Sequence, residues 1–419
     1  MQRKLDLRTG LPVWQAYRAP RVPTQRLTRD VKCDVLVVGL GISGAMIAEA
    51  LTAQGLSVIG VDRRGIMQGS TPATTALVQF EIDQPLCELG RQIGQADAAQ
   101  AWRRSRLAVT NLRGRISELG IRCDMTTAPS LYLAGDALGP AQLREEAAAR
   151  AGIGIRATYL TPTVLQETFG IARKGAILSQ DNLALDPRKL TAGLLNKALE
   201  RKARLYAPVE VIALAPESGG VGVESQGGPA ISARHVVLAT GYELLGMVPS
   251  DTHSIISTYA IATKPQKRKL WPGGALVWEA SDPYLYMRAT ADGRVICGGE
   301  DEDFADEQSR DSLLADKTRT LSAKLKTLFP QLDTTVEFAW TGSFGTTTTG
   351  LPYMGELPGY PGIFAAQGYG GNGITYSQIA SELIATAIAG GEDGDARLFA
   401  FDRTSMMRKM VDLAGRLVP

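Results

Sequence analysis

The sequence offers little material for histidine-based or metal-centred chemistry. Its 419 residues include 2 histidines and 4 cysteines. The cysteines are scattered and form no C-x-x-C pair, so neither a zinc centre nor a disulfide framework is predicted. A Ser-His-Asp triad would also have few histidines to use. We therefore expect no bound metal and a reducing, cytoplasmic location.

A surplus of one charge and long apolar runs are also missing. The chain has 45 basic and 43 acidic residues, for a formal net charge of +2, which is not the basic surplus of a nucleic-acid-binding protein. No apolar stretch approaches the ~20 residues that span a bilayer, and the charged start does not look like a secretory signal. The length exceeds what one core usually supports. We expect a soluble, two-domain protein that does not bind nucleic acid.

A nucleotide-binding pattern stands near the N-terminus. Residues 33–38 predict a buried strand, residues 45–54 predict an alanine-rich helix, and G-L-G-I-S-G lies between them at 39–44. In such a turn the three glycines permit a tight bend, the approach of a pyrophosphate, and close packing of helix on strand. A second strand, residues 56–61, ends at Asp62, at the offset where a carboxylate binds an adenosine ribose. The pattern predicts a site for FAD or NAD.

Three later segments extend this site. A small, hydroxyl-rich loop at residues 69–77 suits phosphates and a flat ring, and a strand at 233–238 ends in the small residues 239–241. A further strand is predicted near Val209. A second glycine-rich turn, residues 368–375, opens a helix that runs to residue 389 and offers another set of free N–H donors. There is no second G-x-G-x-x-G between a strand and a helix, which disfavours a separate NAD(P)H site.

Residues 39–44, 239–241 and 368–374 together resemble the FAD-dependent oxidoreductases of the D-amino-acid oxidase, glycine oxidase and sarcosine oxidase superfamily. The resemblance runs from residue 14 to about residue 390. It implies an α/β, Rossmann-like FAD-binding domain in discontinuous pieces, residues 30–90, 181–250 and 341–390. An inserted α+β substrate domain, with an antiparallel sheet and helices, would take residues 91–180 and 251–340. Residues 1–29 would be an N-terminal extension and residues 391–419 a C-terminal tail.

The resemblance also implies how FAD is held. Family members attach flavin covalently through a histidine or cysteine, and residues 69–77 and 343–355 contain neither, so non-covalent binding is expected. The expected FAD-binding residues are Gly39, Gly41, Ile42, Ser43, Gly44, Asp62, Arg63, Arg64, Gly69, Ser70, Thr71, Thr74, Thr75, Ala76, Val209, Ala239, Thr240, Gly241, Gly370, Gly371, Asn372, Gly373 and Ile374.

The implied reaction is oxidation of a small amine or amino acid. A hydride would pass from the C–H bond next to nitrogen to flavin N5, and the imine product would be hydrolysed. Arg288 resembles in position the family's carboxylate-binding arginine. Strand alternation places Tyr286 on the same face, and Tyr259 on a neighbouring strand is a further candidate for the pocket. The acidic run at residues 300–303 is interpreted as a solvated turn.

Several alternatives stay open at this point. The positions of two lysines found in sarcosine oxidases correspond here to Thr375 and Ile296, so electrons could go to oxygen or to another acceptor, a protein included. The chain could instead be a flavoprotein reductase or monooxygenase fed by NAD(P)H. It could also be the FAD-binding subunit of a multi-protein dehydrogenase. The sequence does not identify the substrate or the oligomeric state.

Overall fold

The fold is known from a computed structural model that describes residues 5–249, 253–267 and 270–403. The strands within these residues are β1 (Val31–Val38), β2 (Val58–Val61), β3 (Leu77–Val78), β4 (Thr126–Leu133), β5 (Ala157–Leu160), β6 (Ala176–Ala184), β7 (Arg204–Tyr206), β8 (Val211–Glu217), β9 (Gly220–Ser225), β10 (Ile231–Leu238), β11 (His253–Thr263), β12 (Leu276–Glu279), β13 (Leu285–Ala289), β14 (Val295–Glu302), β15 (Val336–Thr347), β16 (Tyr353–Glu356) and β17 (Ile363–Gln367). The helices are α1 (Ile42–Ala53), α2 (Leu86–Ile93), α3 (Gln95–Glu118), α4 (Pro140–Gly152), α5 (Pro162–Phe169), α6 (Pro187–Glu200), α7 (Glu307–Ser312), α8 (Leu314–Leu328) and α9 (Gly373–Ile388). Within the described ranges, no helix combines the length and apolar character that crossing a bilayer requires.

The first sheet carries the nucleotide pattern. Its strand order is β16-β17-β10-β1-β2-β7, with β9 beside β10 and β8 beside β9. Strand β1 pairs in parallel with both β10 and β2, and its residues 35–38 are buried in hydrophobic clusters on both faces of the sheet. Helices α1, α6 and α9 pack together beside it. The predicted Rossmann-like sheet is confirmed.

The second sheet has the order β15-β11-β14-β13-β12-β4-β6-β3, with β5 beside β6. Most neighbours are antiparallel, and helix α8 packs on β11, β14 and β15. Strands β12 and β4 pair in parallel. The sheet is therefore mixed rather than purely antiparallel, because β4 and β12 come from two separate insertions that no hairpin joins.

The division of the chain between the two sheets does not follow the predicted domain limits at every point. Strand β3, at residues 77–78, already belongs to the second sheet, and β15 continues in it to residue 347. Sheet membership alone does not set domain limits, so those limits stay predictions. Of the expected C-terminal tail, residues 404–419 lie outside the described residues.

The start of the chain contacts both sheets. Residues 5–17, here called the N-terminal strap, pair at Gly10 with Trp340 of β15. Further along the extension, Gln25 pairs with Tyr206 of β7. The extension predicted for residues 1–29 is thus packed along the body of the protein over its described part, from residue 5 onward.

The turn between β1 and α1 shows why glycine is needed there. Gly39 has a φ of 105°, and a Cβ at this position would stand 2.3 Å from the carbonyl oxygen of Ala239. A Cβ at Gly44 would stand 1.9 Å from the carbonyl oxygen of Gly39. Any side chain at either position would collide with backbone. The turn thus packs on the end of β10, and α1 packs closely on the turn.

Candidate active site

One cavity of about 790 Å³ lies between the two sheets. One part, here called the nucleotide end, is lined by the β1–α1 turn, by residues 62–64 and by residues 209–212. The other part, here called the substrate chamber, is lined by Tyr132, Trp278, Tyr284, Tyr286, Asp301 and their neighbours. The cavity therefore connects the first sheet's cofactor pattern with side chains of the second sheet.

Most of the predicted cofactor residues line this cavity. They are Gly39, Gly41, Ile42, Ser43, Asp62, Arg63, Arg64, Gly69, Ser70, Thr71, Thr74, Thr75, Val209, Ala239, Thr240, Gly241, Gly370, Gly371, Asn372, Gly373 and Ile374. The remaining two, Gly44 and Ala76, are not among the lining residues. Gly44 is held against Gly39, and the carbonyl of Ala76 accepts a hydrogen bond from Arg288.

Asp62 is fixed at the end of β2 by backbone amides. Its Oδ2 accepts a hydrogen bond from the amide of Leu40 at 2.9 Å. Its Oδ1 accepts from the amides of Arg64 and Gly65 at 2.7 and 3.0 Å. Because each carboxylate oxygen has two lone pairs, the group can still accept hydrogen bonds from ribose hydroxyls.

The two arginines after Asp62 are neutralised by carboxylates. Both bind Glu243, and Arg63 also binds Glu210 at 3.1 Å. Arg64 donates further to the carbonyl of Leu5 in the N-terminal strap at 2.6 Å. These cations therefore fasten the strap and the loop after β10 to the nucleotide end.

The hydroxyl-rich loop at residues 69–77 is anchored from both sheets. The hydroxyl of Thr71 accepts a hydrogen bond from the amide of Ile42 at 3.0 Å. The indole of Trp14 donates to the carbonyl of Thr74 at 2.6 Å, and the indole of Trp340 donates to the carbonyl of Ala73 at 2.8 Å. These contacts hold the loop beside the start of α1.

Two helix N-termini open onto the cavity. The hydroxyls of Ser43 in α1 and Ser377 in α9 lie 2.7 Å apart, so the first turns of the two helices are in contact. Residues from both starts line the cavity. Free N–H groups and the helix dipoles make such positions favourable for phosphate.

Aromatic rings form the walls of the substrate chamber. Tyr132 and Trp278 stack with ring centroids 3.8 Å apart and planes inclined by 18°. Tyr284 and Tyr286 lie 5.4 Å apart at 38°, and the Tyr286 hydroxyl is 3.1 Å from that of Thr258. The structure thus places the predicted Tyr286 in the chamber. Its strand neighbour Tyr284 lines the chamber as well.

Five carboxylates line the cavity beyond the nucleotide end, and none was among the predicted site residues. Glu88 is exposed and forms an ion pair with Arg91 at 3.1 Å. Glu279 forms an ion pair with Arg173 at 2.8 Å. Glu81 accepts hydrogen bonds on one oxygen only, from Ser130 and from Asn182. The other two carboxylates, described next, are Asp83 and Asp301.

Asp83 and Asp301 both sit in surroundings that favour the neutral carboxyl. Asp83 is open to the cavity, and Gly371 donates its amide to it at 2.8 Å. The surrounding protein nevertheless raises the pKa of Asp83 by removing it from bulk water. Burial likewise raises the pKa of Asp301 to about 7.

A β-bulge explains the position of Asp301. Strand β11 pairs Ser257 with Glu302 and Tyr259 with Gly299, so an advance of three residues along β14 lies opposite an advance of two along β11. Before the bulge, Val295 and Cys297 pack with the α8 side chains; after it, the odd-numbered Asp301 faces the cavity instead. A bulge reverses alternation in this way. Residues 300–302 lie in β14, where Glu300 is also buried, so the interpretation of residues 300–303 as a solvated turn is wrong for this part of the run.

Arg288 does not reach the chamber. It is buried, and its Nη1 donates to the carbonyls of Ala76 and Leu185 at 2.7 and 2.9 Å. Its guanidinium lies 5.4 Å from the ring centre of Trp14, and the residue is not among those lining the cavity. Arg288 therefore holds the 69–77 loop in place through Ala76, and the expected role of Arg288 in binding a substrate carboxylate is wrong.

Tyr259 also points away from the chamber. Its ring packs in the hydrophobic cluster that includes Leu321 and Leu325 of α8, with Lys317 5.4 Å from the ring centre. Its neighbour Thr258 lines the cavity instead. Alternation at this point of β11 therefore assigns Tyr259 to the core.

The fold and the cavity together define a class. A Rossmann-like sheet, two helix N-termini and the carboxylate of Asp62 border one cavity that continues into an aromatic chamber, as in a two-domain oxidoreductase that uses a dinucleotide cofactor. The sequence profile of the FAD dependent oxidoreductase family, DAO, matches residues 34–387. The chain belongs to this family, and its cofactor is FAD.

Individual relatives and structures agree with this assignment. A probable oxidoreductase named OrdL from Haemophilus influenzae is 23% identical over 389 residues, covering 90% of this chain and 86% of that protein. Gamma-glutamylputrescine oxidoreductase from Escherichia coli is 25% identical, covering 88% and 86%. The structure of L-proline dehydrogenase from P. horikoshii matches with a TM-score of 0.75 at 20% identity, covering 91% and 99%. Glycine oxidase from Geobacillus kaustophilus gives 0.71 at 22%, covering 87% and 96%.

The residues present fit FAD. The glycine turn leaves backbone exposed where a pyrophosphate would lie, Asp62 faces the same space, and the cavity continues past residues 370–374 into the chamber. No histidine or cysteine is found among the described residues that line the cavity. Non-covalent attachment stays a prediction.

Proposed function

We propose that this protein oxidises a small amine at the C–H bond next to nitrogen. The observation that supports the proposal is one continuous cavity that leads from the predicted FAD-binding residues into an aromatic chamber lined by carboxylates. FAD supplies a two-electron acceptor that takes a hydride from that carbon, and water then hydrolyses the imine. The walls formed by Tyr132, Trp278, Tyr284 and Tyr286 orient the amine and limit the entry of water.

Asp83 is the residue we assign to proton transfer. An alkylammonium must lose a proton before its neighbouring C–H bond can be oxidised, and a carboxylate of raised pKa is a suitable acceptor near neutral pH. Burial raises the pKa of Asp83, and its hydrogen bond from Gly371 fixes it beside the second glycine-rich turn. It therefore stands next to residues that we expect to contact the flavin.

The names of relatives support the amine class. One relative is named for gamma-glutamylputrescine, and the similar structures are named for glycine and L-proline. One of these structures is named as an oxidase and the other as a dehydrogenase, so their names differ in the kind of electron acceptor. The proposal therefore leaves the final electron acceptor as oxygen or another acceptor, a protein included, for the experiment to decide.

Anaerobic reduction of the bound flavin tests the proposal. Purified holoenzyme is mixed with monoamines, diamines, D- and L-amino acids, N-methyl amino acids or NAD(P)H, and loss of flavin absorbance is followed before and after oxygen is admitted. Bleaching by an amine supports the proposal. Bleaching by NAD(P)H alone, or by none of these compounds, would favour a reductase or a partner-dependent subunit.

A matched pair of variants tests the role of Asp83. Asp83→Asn should slow flavin reduction by about 100-fold and shift its pH profile, since general acid–base groups typically contribute 10²–10⁴-fold. Asp303→Asn removes an exposed carboxylate outside the cavity lining and serves as the control. Equal rates in the two variants would remove Asp83 from the mechanism.

A further inference from the structure

The substrate chamber has carboxylates without matching cations. Of its five carboxylates, Glu88 is paired with Arg91 at 3.1 Å and Glu279 with Arg173 at 2.8 Å. Across the described residues, no arginine or lysine forms an ion pair with Glu81, Asp83 or Asp301. Lys317, which acts electrostatically on Asp301, is bound to Glu302 at 2.5 Å. Among the described residues, no cation therefore balances these three carboxyl groups when they ionise.

Some of these carboxylate oxygens also lack hydrogen bonds. Both oxygens of Asp301 and the Oε2 of Glu81 are shielded from solvent and accept no hydrogen bond of ordinary geometry from any described residue. Glu81 is only 2% exposed. A buried polar group without a partner is costly, and a buried carboxylate especially so. Because these oxygens face a cavity, they are available to a ligand that carries N–H donors.

Among the described residues that line the chamber, no arginine or lysine is present to pair with a substrate carboxylate. Arg288 is engaged with backbone carbonyls elsewhere, and Arg63 and Arg64 at the nucleotide end are the sole cations among the described lining residues. Arg150 stands behind Tyr132, 5.7 Å from its ring centre, and is bound to Glu146 at 2.8 Å. A carboxylate in the chamber would meet carboxylates of its own charge.

The aromatic walls suit a cation as well. Tyr284 and Tyr286 line the chamber together with Asp301, and the hydroxyls of Tyr284 and Thr258 are close enough to favour the ionised form of its carboxyl. An ammonium group beside ring faces and a carboxylate gains from both. Carboxylate, tyrosine rings and hydroxyl thus surround one space.

From these observations we infer that the substrate is a diamine or polyamine and that Asp301 binds the ammonium group that is not oxidised. This inference rests on the proposed amine oxidation and names its substrate class. The reacting amine lies toward Asp83 and the glycine-rich turn on the first sheet's side. The second ammonium lies toward Asp301 on β14 of the second sheet, with Glu81 as a further carboxylate of the chamber.

Three compounds with the same carbon chain test the inference. Holoenzyme is mixed anaerobically with 1,4-diaminobutane, n-butylamine or 4-aminobutanoate, which differ only in carrying an ammonium, a methyl or a carboxylate at the far end. The set is repeated for chains of three to six carbons. The rapid perturbation of the flavin spectrum gives binding, and the slower bleaching gives oxidation. The diamine should bind at least about tenfold more tightly than the monoamine, as expected for a charged hydrogen bond, and the amino acid should bind most weakly.

Asp301→Asn should remove the preference. The substitution keeps the shape of the side chain and should weaken diamine binding by about tenfold, with butylamine changed by less than about twofold. Glu302→Gln is the matched control, because it removes the neighbouring carboxylate that binds Lys317 outside the cavity. The comparison of the three compounds on the unaltered enzyme is informative even if the Asp301 variant loses FAD.

The outcomes separate this inference from the proposed function. Tight, Asp301-dependent diamine binding without bleaching would refute amine oxidation and leave the recognition of a dication standing. Bleaching by all three compounds without preference would support amine oxidation and overturn the inference. Equal binding, absence of binding, or strongest binding of the amino acid at every chain length would also overturn it.

Discussion

The nucleotide end and the substrate chamber belong to one cavity but are built in opposite ways. At the nucleotide end, backbone amides and glycine turns dominate, and the charges of Arg63 and Arg64 are balanced by Glu210 and Glu243. In the chamber, side chains from distant segments dominate, and carboxylates such as Asp301 face the cavity without a cation. The first region is electrostatically complete by itself, whereas the second needs its ligand. The predictions below test this contrast, beginning with the largest effect.

The backbone character of the nucleotide end predicts that a side chain at Gly41 abolishes FAD binding. A Cβ there would stand 3.1 Å from the hydroxyl of Thr71, so the rest of a valine must extend into the cavity. Gly41→Val should retain essentially no FAD after desalting, measured as the ratio of flavin to protein absorbance. Gly114→Val, on an exposed face of α3 with no atom within 4 Å of a Cβ, is the control. Normal FAD content in the Gly41 variant would contradict a backbone-built site.

A substitution at Arg288 tests whether this residue stabilises the fold or binds the substrate in the chamber. Arg288→Met leaves the carbonyls of Ala76 and Leu185 without their donor, so the free energy of unfolding should fall by roughly 2–4 kcal/mol in urea titrations. Arg319→Met, which loses only an exposed pair with Asp316, should change it by less than about 0.5 kcal/mol. If Arg288→Met instead impaired only carboxylated substrates at unchanged stability, the arginine would belong to the chamber after all.

The pH dependence of the free energy of unfolding tests whether Asp301 is held in the chamber without a paired cation to stabilise its ionised form. Burial raises the pKa of Asp301 to about 7, with Thr258, Tyr284, Asp83 and Lys317 facing it, whereas an unfolded aspartate ionises near pH 4. Between these values the folded state holds the proton, so the contribution of Asp301 to stability is greatest below pH 4 and is lost as the pH rises to 7. Relative to the unaltered protein, Asp301→Asn should gain up to about 1.4 kcal/mol per pH unit in that window. Parallel stability curves at pH 5, 6 and 7 would contradict this.

The smallest effect is expected for Tyr259. Its hydroxyl is buried and has no hydrogen-bond partner among the described residues, so Tyr259→Phe should change stability by less than about 0.5 kcal/mol and leave amine turnover unchanged. Tyr286→Phe, which removes a hydroxyl 3.1 Å from Thr258 inside the chamber, should alter the Michaelis constant for amines. A larger effect on turnover from Tyr259→Phe than from Tyr286→Phe would reverse the placement of the two rings.

The same contrast explains how much the sequence could predict. Strand β1, the glycine turn, α1, β2 and Asp62 follow one another within about thirty residues, so their joint role is visible in a local pattern. Glu81, Glu279 and Asp301 come from segments up to 220 positions apart, and no local pattern shows that they meet. The nucleotide end was therefore predictable nearly residue by residue, and the charge of the chamber was not.

Strand alternation failed for two specific reasons. Alternation gives the face of a residue but not how far along the strand the cavity extends, so Tyr286 lies in the chamber while Arg288, two residues on, lies beyond its edge. At the bulge in β14 the alternation reverses, so Asp301 reaches the cavity although Val295 and Cys297 face α8. Bulges of this kind depend on pairing with a partner strand, which the sequence of one strand does not encode.

The N-terminal strap has a consequence for the order in which the holoenzyme is assembled. Its amides at Leu5 and Thr9 donate to Glu243 and Thr341, and Leu7 lines the cavity, so this segment depends on partners hundreds of residues further along the chain. We expect FAD to enter before the strap docks and to leave only after it detaches. Cofactor exchange would then be gated by the strap, and deleting residues 5–11 should speed FAD release more than it weakens binding at equilibrium.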